Sequence, residues 1–142
     1  MTRPSVVIFG ATGAIGQALV AKFVAEGAEV VAVSRAVQAA ATPNIRSLQW
    51  SGGADVVALS AIAAGSVDAV VWAQGMNFSD DIHSFDLTQH QAMYEANVTY
   101  ILNSLQALLK NNCLAPAARL CVISSIWQNQ ACLLYTSPSP RD

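Results

Sequence analysis

Between Val6 and Phe23 the chain reads VVIFGATGAIGQALVAKF, a short apolar run, three glycines at positions 10, 13 and 16, and a helical pattern. No other stretch restricts the fold as much. Val6-Val7-Ile8-Phe9 is uninterrupted and β-branched, as a strand buried on both faces should be. Ile15, Leu19 and Phe23 recur at i, i+4 and i+8, which predicts one apolar helix face, and Gly27 supplies a C′ stop. In such a strand-to-helix turn the first glycine permits the tight bend. The second lets backbone approach a ligand, and the third brings the helix against the strand. Free N–H groups at the helix N-terminus then favour a phosphate. Glycines with a packing role alone are the plainer alternative. Their place after a buried strand and ahead of an amphipathic helix favours dinucleotide binding.

The alternation continues. Val30 to Val33 reads as a second buried strand, 45–50 (IRSLQW) as a weaker third, and 55–64 (DVVALSAIAA) as a helix closed by Gly65. Val67 to Ala73 is a fourth strand, followed by a polar loop from Gly75 to Asp86. A long helix is predicted from about 89 to 110, with Thr88 as cap and Gln91 three residues on to complete a capping box. Met93, Asn97, Ile101, Leu105 and Leu109 form an i+4 row along it. Pro116 falls in the exit loop, and Leu120 to Ile123 is a fifth buried strand ending at Ser124-Ser125. Continuous apolar strands alternating with helices predict an α/β fold, a doubly wound parallel sheet covered on both faces.

The 142 residues suit one domain with a real core. With 54% hydrophobic and 11% charged residues, the chain is apolar, yet polar residues interrupt every run short of the ~18 a membrane span needs. The opening Met1-Thr2-Arg3-Pro4 lacks the features of a signal peptide. Cys113, Cys121 and Cys132 have no metal-ligand spacing and are expected to be reduced core thiols of a cytoplasmic protein. The net charge is −2 with scattered cations, unlike the basic stripe of a nucleic-acid binder, so a small-molecule ligand is expected. His83 and His90 are expected on the surface. Asp80, Asp81 and Asp86 are too dispersed for a metal site.

The segment GATGAIG resembles the cofactor loop of the short-chain dehydrogenase/reductase family. The likeness runs on through VDAVVWAQG, YEANVTYILNSLQALL and ARLCVISSIW, in the family's order and spacing, over residues 5 to about 131. Ala14 stands where the commonest form of the loop has a glycine, and Gly13 one place earlier, a spacing of the extended and atypical branches. The resemblance implies a Rossmann-type sheet, truncated here after the fifth strand. It also implies an NAD(P)-dependent oxidoreductase moving hydride between NADP(H) and a carbonyl or alcohol carbon. Gly10, Thr12, Gly13, Ile15 and Gly16 would bind cofactor, together with Ala73 and Gly75. At the end of the second strand a carboxylate would suit a ribose 2′-OH, but this chain has Val33-Ser34-Arg35. Ser34 offers a neutral hydroxyl and Arg35 a planar fork for a 2′-phosphate, so NADP(H) is expected over NAD(H). Arg35 solvated at the start of a loop is the alternative. Trp50-Ser51-Gly52-Gly53 replaces the family's adenine-pocket Asp, leaving adenine stacked on Trp50 or held less tightly.

For the reaction itself the resemblance implies two residues. Asn97, on the inward row, matches the helix asparagine that holds a relay water; an amide bonded to backbone is the compatible structural reading. Ser125, with Ser124 as neighbour, matches the serine that donates to the substrate carbonyl. Gln74, within Ala73-Gln74-Gly75, takes a place usually held by Asn. The family's Tyr lies about thirteen residues past the serine, with a Lys four further on; those positions hold Pro138 and Asp142, and Tyr135 is followed at i+4 by Ser139. The last eleven residues, CLLYTSPSPRD, resemble translated sequencing adapter. Residues 1–131 are therefore read as the N-terminal part of a Rossmann NAD(P)-binding domain and 132–142 as a non-native tail. The chain is expected to be inactive by itself. A non-catalytic NADP(H)-binding regulator or redox sensor on the same fold is the second hypothesis. Helix 89–110 resembles a dimer-forming helix of the family, which implies a homodimer or homotetramer.

Overall fold

β1 (Ser5–Phe9) occupies the middle of a five-stranded, wholly parallel sheet in the order β3-β2-β1-β4-β5. The structure, a computed structural model, describes residues 3–36, 42–78 and 81–124. Ser125 and the 132–142 tail lie outside the described residues. The other strands are β2 (Glu29–Ser34), β3 (Ile45–Gln49), β4 (Val67–Trp72) and β5 (Leu114–Val122). α1 (Ala14–Ala25) joins β1 to β2. α2 (Leu87–Tyr94) runs through a π-helical turn, Glu95–Thr99, into α3 (Tyr100–Lys110) ahead of β5. The expected doubly wound Rossmann-type sheet is thus present.

Alternation along β1 divides the core in two. Val6 and Ile8 join Ala11, Ala28, Val30, Ala32 and Val71 beneath Leu19, Val20, Phe23 and Val24 of α1. Val7 and Phe9 join Val33, Trp50, Val70 and Trp72 beneath Tyr100, Ala107 and Leu108 of α3. Burying one such side chain is worth about 1.5–3 kcal/mol, so the central strands need no polar face. Trp72 is fully buried because its indole N–H finds the Ser104 hydroxyl at 2.8 Å.

Several local expectations change. Segment 55–64 makes a single 3₁₀ turn, Val57–Ala61, rather than a helix. Asp55 Oδ1 accepts from Val57 N–H and the Ser60 hydroxyl donates to Val57 O, local bonds that compete with a helix too short to nucleate alone. The long helix begins at Leu87, and Asp86, not Thr88, caps it by accepting from Gln89 N–H at 3.2 Å. Ile15 is 51% exposed, so the apolar row of α1 starts at Leu19. Pro116 falls inside β5, where pairing jumps from Val67↔Leu114 to Ala69↔Arg119 and Ala117 takes a φ of 62°. β5 is not buried: it is the outer strand among the described residues, and Leu120, Val122 and Ile123 are exposed, as is Cys121. Among the described residues no helix is long and apolar enough to cross a membrane.

Candidate cofactor site

The carboxyl ends of β1, β2 and β4 meet where the sheet order reverses, with α1 on one face and α3 on the other, the place where open α/β sheets hold ligands. The glycine turn forms its floor. Gly10 adopts a φ of +76°, and its N–H and that of Ala11 both donate to Val33 O, at 3.0 and 3.1 Å. A Cβ at Gly10 would lie 2.6 Å from Gln74 N, so the turn presses against the chain leaving β4. A Cβ at Gly16 would strike the Gly10 carbonyl oxygen and sit 2.8 Å from its carbon, which forces the helix close to the turn.

Gly13 differs from both. Its φ of −72° suits any residue, and a Cβ there would meet nothing nearer than Gly10 O at 3.6 Å. Gly13 is the N-cap of a twelve-residue helix with no side-chain cap and no acidic residue in its first turn. The opening amides of α1 have no intrahelical acceptor, and Gln17 Nε2 ties down the Thr12 carbonyl at 2.8 Å. The mouth of α1 therefore presents N–H groups without a side-chain cap at the positive end of a helix dipole, an arrangement suited to a nucleotide pyrophosphate. Thr12 and Ile15 are exposed at its rim.

At the β2 end, Ser34 is buried and its hydroxyl donates to Ala36 O at 2.6 Å. The neutral donor expected there is already committed. The Arg35 side chain is exposed, while its carbonyl accepts from Gln49 Nε2 at 3.0 Å. Trp50 does not offer a face for adenine. It is 4% exposed, donates its indole N–H to Asp55 O at 2.8 Å, and packs against Tyr100 and Phe9 with ring centroids 4.5 and 5.8 Å away. Tyr100 also lies on Gly52, whose φ of +95° and missing Cβ accommodate the ring. Burial pushes the Tyr100 phenol well above the ordinary tyrosine range, with the Arg35 charge pulling weakly the other way.

At the β4 end, Ala73 N–H donates to Phe9 O at 2.9 Å, joining the exits of β4 and β1. Gln74 Nε2 donates to Ala96 O at 3.1 Å, and its buried Oε1 has no hydrogen-bond partner among the described residues. Asn97 lies in the π-helical turn, a distortion frequent at functional sites. Its Oδ1 accepts from Met76 N–H at 3.1 Å and its Nδ2 donates to Met76 O at 2.9 Å. A Cβ at Gly75 would sit 2.8 Å from that Oδ1. The structure thus brings Asn97 to Gly75, with its side-chain amide bonded to backbone. Along the expected inward row Met93, Ile101 and Leu105 are half-buried, whereas Leu109 is exposed. Ser124 is exposed beyond β5.

Among the described residues no group of three or more His, Cys, Asp and Glu side chains could hold a metal ion. His83 is exposed, and His90, half-buried, packs against Phe85 and Phe78 at 4.7 and 5.2 Å. A cavity of about 690 Å³ between Gly52–Ala54 and the π-helical turn flanks the site without including the glycine turn. Gln49, Gly52 and Tyr100 were not anticipated. Gly52 stood in a visible Gly-Gly pair, but nothing local marked the ring it makes room for.

The pattern of a family described as NAD dependent epimerase/dehydratase matches residues 6–128. The chain belongs to that family. No curated protein matches it. Among solved structures, a short chain dehydrogenase family protein from Francisella tularensis subsp. tularensis SCHU S4 superposes with a TM-score of 0.81 at 16% identity, over 94% of this chain and 56% of the other. An oxidoreductase of the short chain dehydrogenase/reductase family from Burkholderia thailandensis gives 0.73 at 25% identity, over 93% and 55%. Uronate dehydrogenase from Agrobacterium tumefaciens, a point mutant complexed with NAD, gives 0.61 at 21% identity, over 87% and 42%. The chain therefore spans about half the length of the structures it resembles.

Proposed function

We propose that this chain forms the dinucleotide-binding part of an NAD(P)-dependent oxidoreductase that moves hydride between NADP(H) and a carbonyl or alcohol substrate. The observation that carries this reading is the mouth of α1 at Gly13, with no side-chain cap and with room for close approach. Bound there, the nicotinamide cofactor supplies the hydride chemistry; the protein supplies placement and proton handling. Gly10, Gly13 and Gly16 shape the pyrophosphate floor, Thr12 and Ile15 its rim, and Ala73 and Gly75 the opposite wall. Arg35 faces the adenine ribose and favours a 2′-phosphate. Asn97 holds the Met76 backbone beside the reacting end, and Ser125 donates to the substrate oxygen.

Exposed Tyr94, Val98, Leu102 and Leu109 share the outer side of α2 and α3 and support self-association as a homodimer or homotetramer. Cys113, a buried free thiol raised by its burial and directed to Ile62 O, supports a reducing, cytoplasmic setting. Fluorescence titration of the 142-residue chain with NADPH and NADH tests the proposal. Saturable binding, tighter for NADPH, is expected. A chain with a folded circular-dichroism spectrum that binds neither nucleotide would overturn it.

A further inference from the structure

β2 and β3 end in register, with Ser34 opposite Gln49, and Trp50 N–H donates to Ser34 O at 2.9 Å to close the last rung. Immediately beyond that rung two side chains seize two successive carbonyls. Gln49 Nε2 donates to Arg35 O at 3.0 Å, and Ser34 Oγ donates to Ala36 O at 2.6 Å. The two peptide units that flank the Arg35 Cα are therefore both tied to β3, the first through Ser34 O to Trp50 N–H and the second through Arg35 O to Gln49 Nε2, while the Ser34 hydroxyl holds the unit after them. The direction in which the Arg35 side chain leaves the backbone depends on the two bonds from Trp50 and Gln49. Ser34, with its proton on Ala36 O, has none to give a phosphate. Charge recognition at this corner falls to Arg35, and Arg35 can discriminate only as well as its backbone is held.

We infer that Gln49 is a positioning residue for nucleotide choice: by holding the Arg35 carbonyl it aims the guanidinium at the 2′-phosphate of NADP(H). The inference rests on the NADP(H) reading above and deepens it. Gln49 touches neither phosphate nor reacting atoms; it acts through Arg35. The buried Tyr100 ring packs on Trp50 and Gly52, the residues that follow Gln49.

Gln49 is exposed on β3, the outer strand of the sheet on that side, so its replacement by methionine keeps length and removes the donor without opening the core. In titrations of the full 142-residue chain, Gln49→Met should weaken NADPH by about three- to tenfold, the worth of one amide hydrogen bond, and leave NADH unchanged. Arg35→Met should abolish the preference for NADPH altogether. Equal loss of both nucleotides in Gln49→Met, or no loss of either, overturns the positioning role while an effect of Arg35→Met preserves the NADP(H) reading. An unchanged NADPH-to-NADH ratio in Arg35→Met overturns both. Circular-dichroism melts within a degree or two of the wild type identify the ratio as the informative quantity.

Discussion

The two ends of the crevice are built differently. At the glycine turn the groups left for a ligand come from one continuous segment, Gly10 to Gln17, and are backbone N–H groups. At the exit of β4, Gln74, Gly75 and Met76 meet Ala96 and Asn97 from a helix more than twenty residues away, and side-chain amides make the contacts. The first end stands on conformational freedom that glycine alone supplies. The second depends on a helix docking correctly and on a π-helical turn that presents Ala96 O and Asn97 to the strand exit. A backbone site survives sequence change better than a side-chain site, provided its glycines remain.

The sharpest way to break this comparison is Gly10→Ala. A methyl at φ +76° pressed against Gln74 backbone should cost about 2–4 kcal/mol and remove nucleotide binding; a melting curve unchanged from wild type would show that the turn yields. Asn97→Ala removes two hydrogen bonds to the exposed Met76 backbone and should cost about 0.5–1.5 kcal/mol. Chemical denaturation measures it, and a loss smaller than that of an exposed surface substitution would mean water replaces the amide freely.

Gly13→Ala separates ligand contact from folding. With room for the methyl and an ordinary φ, stability should change by only about 0.5 kcal/mol, while nucleotide affinity falls at least about tenfold, or 1.4 kcal/mol. Intact binding would place the pyrophosphate elsewhere.

The smallest effect concerns Tyr100 and appears only in alkali. Below the ordinary tyrosine value of 10.0 the phenol is neutral folded and unfolded, so pH does not matter through it. Above that value the unfolded chain ionises Tyr100 while the buried phenol stays protonated, and stability falls as pH rises. The wild-type melting temperature should therefore drop faster above pH ~10 than that of Tyr100→Phe. Parallel curves would show the ring to be solvated.

Much of the fold was legible because its signals are local. β1, α1, β2 and β4 announced themselves through uninterrupted apolar runs and the glycines between them. Segment 55–64 failed because apolar periodicity over ten residues cannot distinguish a helix from a turn whose Asp55 and Ser60 bond their own backbone. β5 carries the apolar sequence of a strand covered on both sides, and among the described residues it is the outer strand of the sheet, with Leu120, Val122 and Ile123 exposed. At the site, the roles of Gly10 and Gly16 could be read directly, but not Trp50. Its aromatic face suited adenine on paper and is buried against Tyr100, a partner fifty residues along.

Sequence alone determined that a buried strand turns through glycines into a helix, because bond rotation and solvent exclusion act over a few residues. Which side chains would be spent and which left for a ligand was decided by the assembled sheet and its flanking helices. Ser34 gives its proton to Ala36, Gln49 reaches Arg35, and Asn97 grips Met76. The last two are pairings between distant positions, and a hydrogen bond forms only where folding sets donor and acceptor about 3 Å apart.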